Sequence, residues 1–200
     1  MVILKLLLTG FTPFNNESIN PSFEVIKLLD DKINDIEIIK KEIDTSFNKS
    51  FKELKEYIDL YNPDYVLLIG QAGNRLNVSI EKIGINYIDS KIPDNDGEII
   101  KDTKISVDGP DAYFVTLDIL KIKEYVEGYN LKLDISYSAG TFVCNYLLYK
   151  ALEYTLNKNI KVGFIHVPYI FEQLKGRCLP YMELIDIKEV LYRIIESLNK

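Results

Sequence analysis

A cysteine where a strand hands over to a helix, and the chain's only histidine at the end of an apolar run, are the residues best placed for chemistry in this sequence. Cys144 lies in Ser138-Ala139-Gly140-Thr141-Phe142-Val143-Cys144-Asn145-Tyr146. Upstream, Leu131 to Tyr137 alternates apolar and polar residues as a half-buried strand does. Ala139-Gly140 breaks that pattern before Phe142, Val143, Leu147, Leu148, Ala151 and Leu152 take up helical spacing. In the first turns of a helix, unpaired N–H groups and the positive end of the dipole favour a thiolate, drawing a thiol below its reference pKa of about 8.5. Such a cysteine is a nucleophile, alkylated by iodoacetamide well below about pH 8. Taken alone, the position reads more readily as plain core, because free cysteine is among the most buried residue types.

His166 lies in Gly163-Phe164-Ile165-His166-Val167-Pro168-Tyr169, at the end of a buried strand that begins near Ile160 and stops at Pro168. A neutral core imidazole fits there. A base for Cys144 fits too, since a cysteine after one strand and a histidine at the end of the next share one edge of a parallel sheet, where open α/β folds put their sites. A Cys–His pair needs an acid to orient the imidazole. The chain has 30 acidic residues, and spacing alone singles out none of them.

The elements that must position these groups alternate. Val2 to Thr9 reads as a first strand, followed by a loop from Gly10 to Asn20 and a helix with Asn20 as N-cap and Pro21 at its first position. Ile36 to Ile43 reads as a strand, and Phe47, Phe51, Leu54, Ile58 and Tyr61 mark a helix that Pro63 ends. Tyr65 to Ile69 is a buried strand stopping at Gly70-Gln71-Ala72-Gly73. Val78 to Ile80 and Ile83 to Ile88 look like strands, Pro93 to Gly97 is a dense turn, and residues 98–110 form a second excursion. A helix over Asp111 to Glu127, the Leu131 strand, the Cys144 helix, the Ile160 strand and a final helix through Leu198 complete the chain. This pattern predicts one domain over residues 1–200, a three-layer α/β/α sandwich with a mostly parallel twisted sheet. Right-handed crossovers then place the Gly10 loop, the Gly70 loop, Ser138 and His166 along one rim.

Composition excludes several classes. With 47% hydrophobic residues among 200 the chain can bury a large core. Met1 to Leu8 lacks a basic leader and a cleavage site, and no apolar stretch approaches the ~20 residues of a membrane span, so a cytoplasmic protein without a membrane partner is expected. A net charge of −6 without a basic patch argues against nucleic acid. One histidine and two cysteines make no zinc pattern, and neither a P-loop nor a Rossmann fingerprint is present, so no metal and no cofactor is expected.

Motifs spread along nearly the whole chain resemble those of the pyrrolidone carboxyl peptidases, peptidase family C15. They are Thr9-Gly10-Phe11 with Pro13-Phe14 and Asn20-Pro21; Gly70-Gln71-Ala72-Gly73; Glu81 followed by Asn86; Ile92-Pro93-Asp94-Asn95 with Gly97; Ser138-Ala139-Gly140 with Cys144-Asn145; and Phe164 to Tyr169. The resemblance implies a cysteine exopeptidase, pyroglutamyl peptidase I, that removes N-terminal pyroglutamyl residues from peptides through a thioester. It implies Cys144 as nucleophile, His166 as base and Glu81 as the orienting acid. It also implies a lactam pocket lined by Phe11, Phe14, Thr45, Ile92, Phe142 and Val143, with Gln71 and Asn20 on the lactam's polar atoms, and a homo-oligomer, a tetramer. The competing readings are a nucleoside phosphorylase-like transferase, which needs an anion site that Arg75 alone does not supply, and a non-catalytic small-molecule-binding domain.

The chain departs from the family pattern at three places. Asn15-Asn16 stands where Gly-Gly is common, which asks Asn to tolerate left-handed backbone. Lys91 stands where arginine is usual, and a lysine cannot reproduce a bidentate contact. Phe171 replaces a proline. The second cysteine, Cys178, lies in the Gly- and Pro-punctuated stretch Lys175 to Pro180, read as surface. There it is either a free thiol or, in an oligomer, a candidate to meet its own copy across a two-fold axis.

Overall fold

A strand of nearly unbroken apolar residues must be covered on both faces, and Leu4–Phe11 (β1) is such a strand, with Leu6, Leu7 and Leu8 wholly buried. The computed structural model describes residues 3–200, so the expected start of this strand at Val2 lies outside the described residues. The chain continues through Pro21–Lys27 (α1), Lys32–Ile33 (β2), Ile36–Ile43 (β3), Ser50–Tyr61 (α2), Tyr65–Gln71 (β4), Ser79–Glu81 (β5), Ile83–Ile85 (β6) and Ala112–Phe114 (β7). It ends with Ile119–Glu127 (α3), Asp134–Ser136 (β8), Val143–Thr155 (α4), Lys161–Val167 (β9) and Leu184–Ser197 (α5).

Seven strands form the central sheet in the order β2-β3-β1-β4-β9-β5-β8, and β6 and β7 make a separate antiparallel pair. The run β3-β1-β4-β9 is parallel. One face packs Leu6, Leu8, Leu67, Ile69, Ile165 and Val167 against α1, α3 and α5. The other packs Leu7, Val66, Leu68, Val162 and Phe164 against α2 and α4. The expected α/β/α sandwich is therefore present, and no described helix is long and apolar enough to cross a membrane.

Several local expectations change. The helix expected from Asp111 is a strand followed by a shorter helix: Tyr113 and Phe114 favour β structure, and Asp118 caps α3 by accepting from the Lys121 N–H at 3.2 Å. Helix α2 begins at Ser50 and leaves Phe47 outside. Ser46 Oγ, accepting from the Asn48 and Lys49 N–H groups at 3.1 Å each, holds the chain in a turn there. The strand expected through Ile88 stops at Ile85, and only an isolated bridge joins Ile88 to Thr103. The strand expected over Leu131 to Tyr137 is confined to three residues. It is also not a parallel neighbour of β9, because β5 runs antiparallel to β9 and β8 parallel to β5. Cys144 is thus delivered by the loop 137–142 and not by the end of a parallel strand.

Candidate active site

Gly70 and His166 stand opposite each other in the parallel register of β4 and β9, so their Cα–Cβ directions leave the same face of the sheet. Phe164, two residues before His166, leaves that face as well, and its ring centroid lies 4.7 Å from the imidazole's. A Cβ on Gly70 would stand 2.8 Å from Phe164 Cζ and 3.0 Å from Cys144 Sγ. Glycine at this position therefore leaves the seat that the sulfur occupies beside the histidine. Among the described residues no hydrogen bond joins Sγ to the ring, and contacts of this kind are often long before substrate binds.

The orienting carboxylate comes from β5. Glu81 is 0% exposed, and its Oε1 lies 2.7 Å from His166 Nδ1. The same oxygen lies 2.8 Å from Arg75 Nη2 in an ion pair, and Oε2 has no hydrogen-bond partner. Burial by itself would raise this carboxyl, but the hydrogen bond and charge of His166, with Ser136 and Arg75, hold it below the usual carboxylate range. Burial pushes the imidazole down and Glu81 pulls it back, while Arg75 opposes its protonation; the net direction is downward, toward a neutral base. Nδ1 then donates to Glu81, and Nε2 is free to accept a proton.

Cys144 is the second residue of α4, where the helix dipole favours a thiolate, but the opposing effects are larger. Burial, with the charge of Glu81, pushes the thiol up to about 12 against the smaller opposing effects of Arg75 and a backbone N–H. The sulfur lies against Gly70 on a half-buried residue, and desolvation outweighs the helix dipole. At neutral pH the site holds a thiol beside a neutral imidazole. Its proton must leave as the sulfur attacks.

The aromatic residues gather near this point. Phe14 lies 5.9 Å from Phe142, Phe142 packs edge-on at 5.5 Å against Phe47, and Phe11 lies 6.4 Å from Phe164. Val143 is buried and Ile92 half-buried. Thr45 is tied into the loops on three sides: its Oγ1 donates to Thr12 O at 2.8 Å, its N–H donates to Thr12 Oγ1 at 3.0 Å, and its C=O accepts from the Asn95 N–H at 3.0 Å. The turn after Ile92 clasps these loops. Asn95 Nδ2 donates to Thr12 Oγ1, Pro13 O and Asp44 Oδ1 at 3.0–3.1 Å, and Asp94 Oδ2 accepts from the Phe47 N–H at 2.8 Å. Asn15 and Asn16 both take left-handed backbone, with φ of 52° and 60°, so asparagine fills the glycine role expected there.

Gln71 and Asn20 lie apart from this group. Gln71 leaves β4 on the face opposite Gly70, and Gln173 Nε2 donates to its Oε1 at 2.7 Å. Asn20 Oδ1 is committed to capping α1 through the Ser22 N–H and hydroxyl, and its Nδ2 donates to Thr12 O at 3.1 Å. Sequence reasoning missed Gln173, Phe47 and the contacts of Arg75 with Glu81, Ser79, Ser136 and Ser138. Arg75 stood two residues beyond the Gly70–Gly73 motif with nothing in its spacing to mark it. Lys91 is exposed, as are Phe171 and Cys178.

A mostly parallel α/β/α sheet carrying a cysteine, a histidine and a buried carboxylate at one rim has the parts of a thiol-dependent acyl-transfer enzyme. Comparison with known proteins gives the family. The family model for pyroglutamyl peptidase matches residues 4–198, and the chain belongs to that family. The chain is 46% identical over 200 residues to pyrrolidone-carboxylate peptidase 1 of Caldanaerobacter subterraneus subsp. tengcongensis, covering 98% of each. Among solved structures, it is similar to pyroglutamyl peptidase I from Bacillus amyloliquefaciens, with a TM-score of 0.94 and 37% identity over 98% of this chain and 95% of that one. A mutant pyrrolidone carboxyl peptidase from Pyrococcus furiosus matches at a TM-score of 0.92 and 38% identity, covering 97% of both.

Proposed function

We propose that this protein is a pyroglutamyl peptidase I that releases N-terminal pyroglutamate from peptides, with Cys144 as nucleophile, His166 as general base and acid, and Glu81 as the residue that orients the imidazole. The observation that carries this reading is the 2.7 Å pairing of His166 Nδ1 with a wholly buried Glu81, on the face where Cys144 Sγ sits over Gly70.

Cys144 Sγ attacks the carbonyl carbon of the pyroglutamyl bond while His166 Nε2 takes the thiol proton. The charge on the carbonyl oxygen falls to the first-turn amides of α4, where the Tyr146 N–H to Phe142 C=O bond at 3.1 Å leaves the preceding N–H groups as the orphans of a helix start. Collapse breaks the C–N bond, and His166 returns the proton to the leaving amine. Water, deprotonated by His166, then attacks the thioester, releasing pyroglutamate and restoring the thiol. Phe11, Phe14, Phe142, Val143, Ile92 and Thr45 form a pocket suited to a small neutral ring. The side chain of Gln71, on the opposite face of β4 and held by Gln173, and that of Asn20, held in the α1 cap, are not assigned to the lactam.

A phosphorylase-like reading is not favoured, because Arg75, the nearest candidate for an anion site, is committed to Glu81. The protein is read as a cytoplasmic homotetramer acting on peptides, without nucleic acid or membrane partners. Cys178 is exposed on the single chain, as a thiol meeting a second copy must be. The test of the activity is selectivity. Pyroglutamyl-β-naphthylamide is expected to be cleaved with a kcat/KM at least about 100-fold above the prolyl and alanyl analogues, whose charged amines a neutral pocket solvates poorly. Comparable turnover of the prolyl compound contradicts the pocket.

A further inference from the structure

Arg75 makes more contacts than a surface arginine needs. It lies in the turn after β4, next to Asn74 with φ of 68°, and its side chain is 26% exposed. Nη1 donates to Ser79 Oγ. Nη2 lies 2.8 Å from Glu81 Oε1, 3.2 Å from Ser136 Oγ and 3.3 Å from the Ser138 carbonyl oxygen. Ser79 and Glu81 belong to β5, Ser136 ends β8, and Ser138 opens the loop that leads through Gly140, with φ of 81°, into α4. The far end of that loop is pinned separately: Thr141 Oγ1 donates to Asp89 O, and the Asn145 amide bridges Ile85 and Tyr87.

We propose that Arg75 is a positioning residue for the reaction, clamping Glu81 Oε1 to Ser136 and to the Ser138 carbonyl so that the orienting acid and the loop delivering Cys144 keep one fixed relation. This rests on the peptidase reading above.

The geometry explains why such a clamp is needed. Glu81 meets His166 through one oxygen only, and Oε2 has no partner, so the carboxylate has no second bond to His166 to stop it turning. Arg75 supplies that second anchor on the same oxygen. A guanidinium can reach several acceptors at once from one plane, whereas an ammonium is a single point of charge. Electrostatics adds a distinct signature. The groups facing His166 are Glu81 from β5, Arg75 from the turn after β4 and Cys144 from α4, and Arg75 works against protonation of the imidazole. Removing its charge therefore raises the imidazole's pKa, and the acid limb of kcat/KM, which reports the free base, moves to higher pH.

The experiment compares wild type, Arg75→Met and Arg75→Lys on pyroglutamyl-β-naphthylamide across the pH range, with near-UV CD as a check on folding. Arg75→Met is expected to lower kcat by about 10- to 100-fold, the scale of a small misplacement of catalytic groups, with KM changed less than about 3-fold and the acid limb displaced upward. Arg75→Lys keeps the charge and loses the fork, so its kcat falls about 10-fold while the acid limb stays at the wild-type position. An Arg75→Met protein with wild-type kcat, or a slower one with the wild-type pH profile, overturns the proposal. If Arg75→Met does not fold, Arg75→Lys decides: undiminished kcat overturns the clamp, and a fall with unchanged KM supports it. A wild type that fails to turn over this substrate counts against the peptidase reading and takes this one with it, whereas an active wild type with indifferent variants counts against Arg75 alone.

Discussion

Cys144→Ser and His166→Ala are each expected to lower kcat by at least about 10³-fold, with the near-UV CD spectrum unchanged, because nucleophile and base act as a unit and losing either forfeits most of what both supply. The serine variant suffers for a specific reason. The thiol already sits where burial pushes it up to about 12, and a hydroxyl, intrinsically far harder to deprotonate, has only the same neutral imidazole to take its proton. His166→Ala leaves the Glu81 carboxylate with Arg75 as its remaining ion-pair partner, so the fold keeps a counter-charge while catalysis loses its base. The double variant should be hardly slower than either single one. Activity within tenfold of wild type in either single variant contradicts the assignment.

Glu81→Gln is expected to lower kcat by about 10² to 10⁴-fold, since an amide can present an N–H toward Nδ1 and so favour the imidazole tautomer whose Nε2 already carries a proton. The pH profile gives the sign. Glu81 raises the imidazole's pKa, so its removal moves the acid limb of kcat/KM to lower pH, opposite to the direction expected for Arg75→Met. Glu81→Ala should in addition cost roughly 3 kcal/mol of stability, the low end for breaking a buried pair, because the Arg75 left behind is partly exposed. A Glu81→Gln acid limb that stays in place or moves upward contradicts the role given to the carboxylate.

The parallel strands were readable because burial on both faces makes them near-continuous apolar runs, as in Leu6 to Leu8 and Val162 to Val167. Cys144 and His166 were readable because a nucleophile and a base are rare residue types in this chain. The antiparallel insertion of β5 and β8 was not: three-residue strands carry too few alternations to declare a direction, and β5 pairs according to where its neighbours leave room. The raised thiol was missed for a related reason. Helix position is local and visible in sequence, whereas the burial that overrides it is set by elements distant in the chain, such as Gly70 on β4. Glu81 became visible only through family resemblance, and Arg75 only through the contacts it makes in three dimensions.

The most direct test of the central claim is to mix the protein with a pyroglutamyl arylamide, quench in acid within the first turnovers, digest, and locate the acyl group by mass spectrometry. The account expects a pyroglutamyl thioester on the peptide that carries Cys144, present in wild type, absent in Cys144→Ser, and never on the peptide that carries Cys178. Steady hydrolysis that continues in Cys144→Ser, or an adduct on Cys178 in its place, would contradict it.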